Sequence, residues 1–434
     1  MADLLGLSAR IIDDGVVDEP VNRITQELSE VADGIAMVES FSHTVLFRTG
    51  DGLVAFDTSG AVTGALVVES LRRWSDEPVH TIAYTHGHVD HVGGSGAFAA
   101  DAERRGDPRP RVVGHANVPV RFDRYQLTDG YNQVINSRQF GGLRGMGLGI
   151  GGDAAFLPAD HLDPDVTFDD RYDLEVGDVG FELHHARGET DDHLWAWVPG
   201  HRAICSGDFL IWNFPNAGNP QKVQRYPGEW AAALRQMIAM EPELFLPAHG
   251  LPIAGRERIA SVLGDVAGAL ETLLAEVLEM MNAGERLDAI VHSVSVPDDL
   301  LAKPYLRPLY DEPEFVVHNI WRLYGGWYDG NPARLKPAPD AVFAAEVARL
   351  GGGTDVLARR ATELADAGEL RLACQLVELA AQTDPGNRAV HGARADIYER
   401  RRKTESSLMA RGIYGFAARE SAELADPGRR DPSD

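Results

Sequence analysis

Four side chains that can bind metal ions lie within six positions of the chain: His86, His88, Asp90 and His91. They follow a short apolar run at 79–83, which predicts a buried strand. A loop that leaves this strand can direct the first two side chains to one side and the last two to the other. Imidazole and carboxylate are the ligands that zinc and similar cations prefer. The spacing therefore predicts a site for two neighbouring metal ions.

Three further candidate ligands lie at the ends of other predicted strands, where a rigid element can direct each of them: His193, Asp208 and His249. The predicted ligand set is divided between two ions, with Asp208 bridging them: His86, His88 and His193 for the first, Asp90, His91 and His249 for the second. Asp57 also ends a strand, and we expect it to accept a hydrogen bond that orients a ligand histidine. This donor set suits two zinc ions, with iron and manganese as alternatives.

Composition and charge narrow the class of protein. At 434 residues the chain exceeds what one hydrophobic core usually supports, so two domains are expected. The net charge of −25 disfavours binding to nucleic acid or to an anionic membrane surface. The two cysteines, Cys205 and Cys374, lie far apart, which favours a reducing compartment. Neither a secretory signal nor an apolar run of membrane-spanning length is evident, so we predict a cytoplasmic protein.

The order of predicted elements indicates an α/β domain over residues 1–255. Two strand-rich blocks, each followed by helices, predict two sheets packed face to face with helices outside. Within this domain, residues 121–165 combine polar and aromatic side chains with a glycine-dense run at 141–152. Long irregular segments beside a site often act as lids, so this segment is interpreted as a lid or substrate loop.

The second half of the chain is predicted to be helical over residues 256–425. Apolar residues recur there every three or four positions. Residues 367–387 have the length and turn residues of a tetratricopeptide-like helix pair. The tail at 426–434 is rich in Pro, Arg and Asp and is expected to be disordered.

The motifs resemble those of two known domain families. The segment Thr-His-Gly-His-Val-Asp-His at 85–91, with the later ligands, is similar to the metallo-β-lactamase fold, an αββα sandwich, over roughly 20–255. The segments 318–332, 384–387 and 411–420 resemble the helical dimerisation domain of alkyl sulfatases, which follows a metallo-β-lactamase domain in that family. The glycine-rich segment that starts at Asn136 is also similar. The resemblance implies a homodimer and a metal-dependent hydrolase of alkyl sulfate esters.

The chain departs from the alkyl sulfatase pattern at positions that matter for substrate. The family carries glutamates where this chain has His193 and Asp208. It also places an arginine and a histidine after the bridging carboxylate, whereas residues 209–226 offer Lys222 and Arg225 and no histidine. The ligand set resembles that of the general hydrolases of the fold, which keeps thioesters, lactones and β-lactams as alternative substrates.

The leading hypothesis is hydrolysis of an anionic ester by a hydroxide held between two metal ions. Asp90 or Asp208 would orient this hydroxide, and Tyr131 or Asn132 would donate to a leaving oxygen. An anionic group of the substrate would be held by cationic side chains: Arg225, Lys222, Arg138 and Arg144. A hypothesis of another class is a dimeric helical-repeat interaction protein whose metal domain is vestigial.

Overall fold

The computed structural model describes residues 2–140, 155–426 and 428, which fall into two compact units. The first unit comprises described residues of 1–133 and 144–327, and the second those of 134–143 and 328–434. The domain boundary after residue 255 stays a prediction. The glycine-dense run at 141–152 lies outside the described residues, as does the predicted disordered tail apart from residues 426 and 428.

Seven strands form the first sheet of the first unit, and they follow one another across it in chain order. They are β1 (Leu28–Ala32), β2 (Ile35–Val38), β3 (Thr44–Thr49), β4 (Gly52–Phe56), β5 (Val79–Ala83), β6 (Arg111–His115) and β7 (Val166–Phe168). Strands β1 to β4 pair antiparallel, and β4 to β7 pair parallel. The parallel half needs crossover connections, which places helices between its strands.

The second sheet has six strands and lies later in the chain. They are β8 (Arg171–Val176), β9 (Val179–His185), β10 (Leu194–Val198), β11 (Ala203–Gly207), β12 (Leu244–Pro247) and β13 (Ile253–Ala254). The spatial order follows the chain, and β11 and β12 are the parallel pair within it. The parallel pairs β4–β5 and β11–β12 are the strands from which the candidate ligands emerge.

Helices of the first unit connect and cover these strands. They are α1 (Leu4–Asp14), α2 (Gly64–Trp74), α3 (Val89–Val92), α4 (Ser95–Arg105), α5 (Asn117–Leu127), α6 (Asp129–Gln139), α7 (Pro227–Ala239), α8 (Arg256–Asn282), α9 (Leu287–Val291), α10 (Asp298–Leu301) and α11 (Pro313–Gly325). Helix α6 starts in the first unit and ends in the second. No helix in the described part of the chain is long and apolar enough to cross a membrane.

The two sheets pack face to face, as the alternation of side chains along their strands requires. Alternate residues of β2 enter different cores: Ile35 and Met37 face the inter-sheet core, whereas Ala36 and Val38 face the helices. The ring of Phe47 lies 5.3 Å from that of Phe181, across the two sheets. The αββα sandwich with a C-terminal helical domain is therefore confirmed.

The segment interpreted as an irregular loop at 121–165 is helical in its first part, and that interpretation was wrong there. Helix α5 buries Val118, Phe122 and Tyr125 against the helix-facing side of the first sheet. These residues are spaced at i, i+4 and i+7, one face of an α-helix. The neighbouring glycine-dense run has the composition of a loop, which made this periodicity harder to recognise. The role of the segment as a lid stays a prediction.

The second unit is helical. It contains α12 (Asp340–Gly351), α13 (Thr354–Asp366), α14 (Leu370–Thr383), α15 (Arg388–Thr404) and α16 (Leu408–Ala425). Helix α15 begins at the cap Asn387, whose side chain accepts hydrogen bonds from the amides of Ala389 and Val390. Two apolar clusters join α12 to α15, and the tetratricopeptide-like arrangement stays a prediction.

Candidate metal centre

The candidate ligands emerge where parallel strands end. Strands β4 and β5 end next to each other in the first sheet, and β11 and β12 do so in the second. The loops beyond these ends carry Asp57, the segment 86–91, Asp208 and His249. Gly207, just before Asp208, has a φ of +53°, and a Cβ there would lie 2.7 Å from the ring of His193. Only glycine fits this close turn without strain.

One cluster of metal-binding groups comprises His86, His88, Glu189 and Asp208, with ligand atoms all within 4.8 Å of one another. Nε2 of His86 lies 2.8 Å from Nδ1 of His88. Nδ1 of His88 lies 3.5 Å from Oε1 of Glu189, and Nε2 of His86 lies 3.9 Å from Oδ2 of Asp208. A cation bound at ~2.1 Å separates its ligand atoms by roughly 3 to 3.5 Å, which matches this spacing.

The second cluster comprises Asp90, His91 and His249. Oδ2 of Asp90 lies 3.6 Å from Nε2 of His91 and 3.4 Å from Nε2 of His249. His91 is fully buried, whereas the side chains of Asp90 and His249 are 24% and 18% exposed. The exposed side of the cluster is therefore the side from which a substrate can arrive.

Asp208 faces both clusters. Its Oδ2 lies 3.5 Å from Nε2 of His91 as well as 3.9 Å from Nε2 of His86, and its Oδ1 lies 3.6 Å from Nε2 of His249. Three histidines from the two clusters thus converge on one carboxylate. This is the arrangement that a residue shared by two cations needs.

Several atoms of the centre are buried without a hydrogen-bond partner among the described residues, including Nε2 of His91 and Oδ1 of Asp208. An unsatisfied buried polar atom is costly, and a cation would satisfy both of these. Burial and the neighbouring Asp208 raise the pKa of Glu189 well above its usual range, despite the opposing charge of Arg225. Two carboxylates this close repel each other, and a divalent cation removes that repulsion. The residues present therefore fit a pair of metal ions.

The histidines of the centre differ in protonation. Burial, reinforced by neighbouring imidazoles, lowers the pKa of His86 well below its usual value, so this ring is neutral and ready to bind a cation. Burial opposes protonation of His91 too, but Asp208, Asp57 and Asp90 outweigh it and raise the pKa of His91 well above its usual value. A cation bound at His91 must therefore displace a proton.

Asp57 lies behind His91. Its Oδ2 is 2.8 Å from Nδ1 of His91, and its two oxygens accept hydrogen bonds from the amide and hydroxyl of Thr85 at 2.8 and 2.7 Å. These contacts leave Nε2 of His91 directed into the second cluster. The role expected for Asp57 stays a prediction.

His193 contacts residues of the first cluster but is not itself grouped with its ligands. Its Nε2 accepts a hydrogen bond from the backbone amide of Asp208 at 3.1 Å, and its ring stacks on that of His86. Nδ1 is buried without a hydrogen-bond partner among the described residues. The assignment of His193 to the first ion stays a prediction, and the structure places Glu189 in the first cluster beside His86 and His88.

Glu189 was not among the sequence candidates. It lies in the β9–β10 loop, four residues before His193, and not at a strand end. Residues 189–193 contain three carboxylates and one histidine, but only His193 adjoins a strand, so the strand-end pattern favoured the histidine. Asn216 donates a hydrogen bond to Oε1 of Glu189, which holds this carboxylate in place.

Two of the predicted substrate residues lie beside the first cluster. Arg225 is 1% exposed and donates to the carbonyl of Glu189, and its second guanidinium nitrogen lies 3.3 Å from Oε1 of Glu189. Lys222, three residues earlier, is partly buried. Burial and the charge of Arg225 lower the pKa of Lys222 to about 7. The charges of Asp90 and Glu189 also act on Lys222, so both cations lie near the metal-binding groups.

The segment that carries these cations, 214–225, is held by residues far along the chain. The buried carboxylate of Asp311 accepts hydrogen bonds from the amides of Gly218 and Asn219 at 2.6 and 3.1 Å. The side-chain amide of Asn319 accepts from the backbone nitrogen of Arg225 and donates to its carbonyl, at 3.3 and 2.9 Å. Sequence analysis missed both residues, because no local pattern links positions this distant.

The other predicted substrate residues are placed differently. Tyr131 is 60% exposed on α6, and Asn132 is buried and donates to the carbonyl and hydroxyl of Thr128, one turn earlier. Arg138 belongs to the second compact unit, and Arg144 lies outside the described residues. Their roles toward substrate stay predictions.

Comparisons with known proteins identify the family. The family model of the metallo-beta-lactamase superfamily matches residues 37–249, and that of alkyl sulfatase dimerisation matches residues 286–423. A linear primary-alkylsulfatase of a Pseudomonas species is 26% identical over 86% of this chain and 73% of its own length. An alkyl/aryl-sulfatase of Saccharomyces cerevisiae is 23% identical over 91% of this chain and 63% of its own length.

A solved structure shares the fold across nearly the whole chain. The stereoselective inverting sec-alkylsulfatase Pisa1 from Pseudomonas superposes with a TM-score of 0.80 at 22% identity, covering 93% of this chain and 66% of that chain. The chain is a metallo-β-lactamase-fold protein. Within that superfamily it belongs to the alkyl sulfatase-like branch, which carries the alkyl sulfatase dimerisation domain. The resemblance inferred from the motifs is thus confirmed.

Proposed function

We propose that this enzyme hydrolyses alkyl sulfate esters with the help of two divalent cations, most naturally zinc. The observation that carries the proposal is the convergence of two ligand clusters on Asp208, with Arg225 and Lys222 beside them. A sulfate ester is an anion at neutral pH, and buried cations next to the metal ligands suit it. The names of the sequence relatives support the same substrate class.

The side chains of the centre have separate roles in this proposal. When bound by these residues, divalent cations would supply Lewis acidity and would lower the pKa of water at the site towards neutrality. Asp90, whose side chain is 24% exposed in the second cluster, would accept the hydrogen bond that orients the attacking oxygen. The carboxylate of Asp208 would offset the positive charge of both cations.

For the first cation we propose Glu189 as the third ligand in place of His193. Its carboxylate lies 3.5 Å from His88, whereas Nε2 of His193 is engaged by the amide of Asp208. His193 then positions Asp208 and does not bind the cation. Glutamate at this place also removes one of the two departures from the alkyl sulfatase ligand pattern.

Arg225 and Lys222 hold the sulfate group in this proposal. Arg225 is fixed by Glu189 and Asn319, so its guanidinium is positioned before substrate arrives. Tyr131 and Asn132 remain candidates for the leaving oxygen. The dimerisation domain supports a homodimer, and a cytoplasmic location remains part of the proposal.

The alternatives make different predictions. A thioester or a lactone has a neutral reacting group and does not require Arg225 and Lys222, and a β-lactam carries its anionic group outside the bond that is cleaved, which is why the alkyl sulfate ranks first. A helical-repeat interaction protein with a vestigial metal domain needs none of the converging ligands. Its function would survive loss of the metal.

Metal content and turnover measured together test the proposal. Purified protein is assayed against a medium-chain alkyl sulfate, an acyl thioester, a lactone and a chromogenic cephalosporin, with and without chelator. We expect two equivalents of metal and chelator-sensitive release of sulfate. Turnover on the thioester or lactone alone would move the enzyme to another substrate class. Less than one equivalent of metal would refute the two-cation centre.

A further inference from the structure

We propose that a buried ion pair, Arg121 with Asp192, is a positioning device that fixes the first cation site by holding the backbone between His86 and His88. The inference rests on the proposed function, because it concerns the affinity of that centre for its cation. Neither Arg121 nor Asp192 reaches the cation ligands with its own side chain. They act through Gly87, the residue between the two histidines.

The contact with Gly87 is direct. Oδ2 of Asp192 accepts a hydrogen bond from the amide of Gly87 at 3.0 Å and another from Nε of Arg121 at 2.8 Å. Asp192 is fully buried and Arg121 is 2% exposed. The carboxylate thus holds the loop at a backbone amide that lies between the two histidines.

Glycine at position 87 is required by this approach. A Cβ there would lie 2.9 Å from Oδ2 of Asp192 and 3.0 Å from Cδ of Arg121. Contacts this short are unfavourable, so a side chain at position 87 would force the loop or the Arg121–Asp192 pair to shift.

The same pair also reaches the loop that carries Glu189. A second nitrogen of Arg121 binds the carboxylate of Asp191, and Asn117 on the same helix donates to the carbonyl of Asp191 at 3.2 Å. Asp191 follows Glu189 by two residues. Helix α5 therefore contacts both loops that carry ligands of the first cluster. In the second cluster, Asp57 holds His91.

Buried ion pairs are poor devices for stability, since the cost of desolvation offsets their attraction. A role in positioning explains better why such an ion pair lies next to the loop that carries His86 and His88. Outer partners of metal ligands usually change the affinity for the cation by 10- to 100-fold. We therefore expect an effect of this size on the first site and none on the second.

Metal affinity of the apo-protein tests the inference. Zinc is titrated against a chromophoric competing chelator into the wild type and into Arg121→Gln/Asp192→Asn, which removes both buried charges and makes the charge-assisted hydrogen bond from the Gly87 amide a weaker neutral one. We expect one of the two dissociation constants to rise about 10- to 100-fold and the other to stay unchanged. The variant Arg121→Lys keeps the buried charge beside Asp192 and should retain most of the affinity.

A matched control comes from the same compact unit. Arg72 and Asp101 form a second largely buried ion pair, with Nε 2.7 Å from Oδ2, between α2 and α4. Arg72→Gln/Asp101→Asn should leave both zinc constants unchanged. Equal zinc constants in the wild type and the Arg121→Gln/Asp192→Asn variant would overturn the inference alone. A wild type that binds less than one equivalent would overturn the proposed function with it, so the two failures are distinguishable.

Discussion

The metal side and the substrate side of the centre are built in different ways. The metal side, defined as 57, 86–91, 189, 208 and 249, takes nearly all its groups from the ends of parallel strands. The substrate side, defined as 214–225 with 307–322, consists of two distant segments joined by hydrogen bonds. A sheet edge fixes the first side, whereas long-range polar contacts fix the second. We therefore expect changes on the metal side to abolish catalysis and changes on the substrate side to weaken binding.

The largest effect is expected for Asp208→Asn. This change removes the charge that both clusters share, and several kcal/mol of charge stabilisation are lost with the cations. We expect kcat/KM to fall by roughly a thousandfold and metal content to drop below one equivalent. Elemental analysis and turnover of alkyl sulfate measure the two. Asp173→Asn, on the exposed face of β8, is the control. Retention of two equivalents and of normal turnover would contradict the shared role of Asp208.

The contrast between the two sides also explains what the sequence could predict. The ligands in 86–91 lie close together in the chain, and Asp208 and His249 follow recognisable strands, so local patterns sufficed. The apolar run at 79–83 likewise predicted β5 with its observed bounds, and the helical character expected for 256–425 is found in α8 to α16. Each of these is set by its own apolar periodicity.

What sequence reasoning missed depends on contacts between distant residues. Glu189 lies inside a loop, and its place beside His88 is decided by Asn216 and Arg225. Asp192 is fully buried, and Arg121, which lies 71 residues earlier, neutralises it. Asp311 meets its partners across more than ninety residues. No periodicity encodes such pairings.

A second prediction sharpens the metal side by comparing Glu189→Gln with His193→Gln. If Glu189 binds the first cation, its amide variant should lose about one equivalent of metal and at least ~100-fold in kcat/KM, more than an outer partner typically costs. His193→Gln should keep both cations, with a smaller loss through displacement of Asp208. Metal content of the two variants decides. The reverse pattern would restore the ligand assignment made from the sequence.

A third prediction moves to the substrate side with Arg225→Gln. Loss of a charge-assisted contact to the sulfate should cost about 1.5–3 kcal/mol. This corresponds to a rise in KM of roughly 10- to 100-fold, with the second cation retained and the first held less tightly because Arg225 also contacts Glu189. Steady-state kinetics and inhibition by inorganic sulfate provide the measurement. Arg187→Gln is the matched control, since Arg187 pairs with exposed Glu229 nearby. An unchanged KM would remove Arg225 from the substrate side.

The pH dependence gives a fourth prediction, of about tenfold size. Burial and Arg225 lower the pKa of Lys222 to about 7, so the ammonium is present below pH 7 and lost as the pH rises above it. Binding of an anionic substrate to the free enzyme should weaken accordingly, and kcat/KM should fall by up to about tenfold between pH 7 and 9. Lys222→Arg stays charged and should reduce this fall in kcat/KM. If the fall is as large in Lys222→Arg as in the wild type, another group is responsible for it.

The smallest effect is expected for Asp311→Asn, which tests how the substrate side is held together. An amide offers one acceptor oxygen where the carboxylate accepts from Gly218, Asn219 and Glu312. Unsatisfied amides cost about 1–3 kcal/mol, shared between stability and loop order. We expect KM to rise about three- to tenfold with metal content unchanged. Asp288→Asn, on the exposed face of α9, is the control.

This last variant decides whether the two sides are separable. Asp311 touches the segment that carries Arg225 and Lys222, and that segment also carries Asn216, which holds Glu189. If Asp311→Asn raises KM and keeps both cations, the conformation of segment 214–225 affects substrate binding alone. If it releases a cation instead, then Asn216 couples the sides through Glu189, and the substrate segment is part of the metal centre.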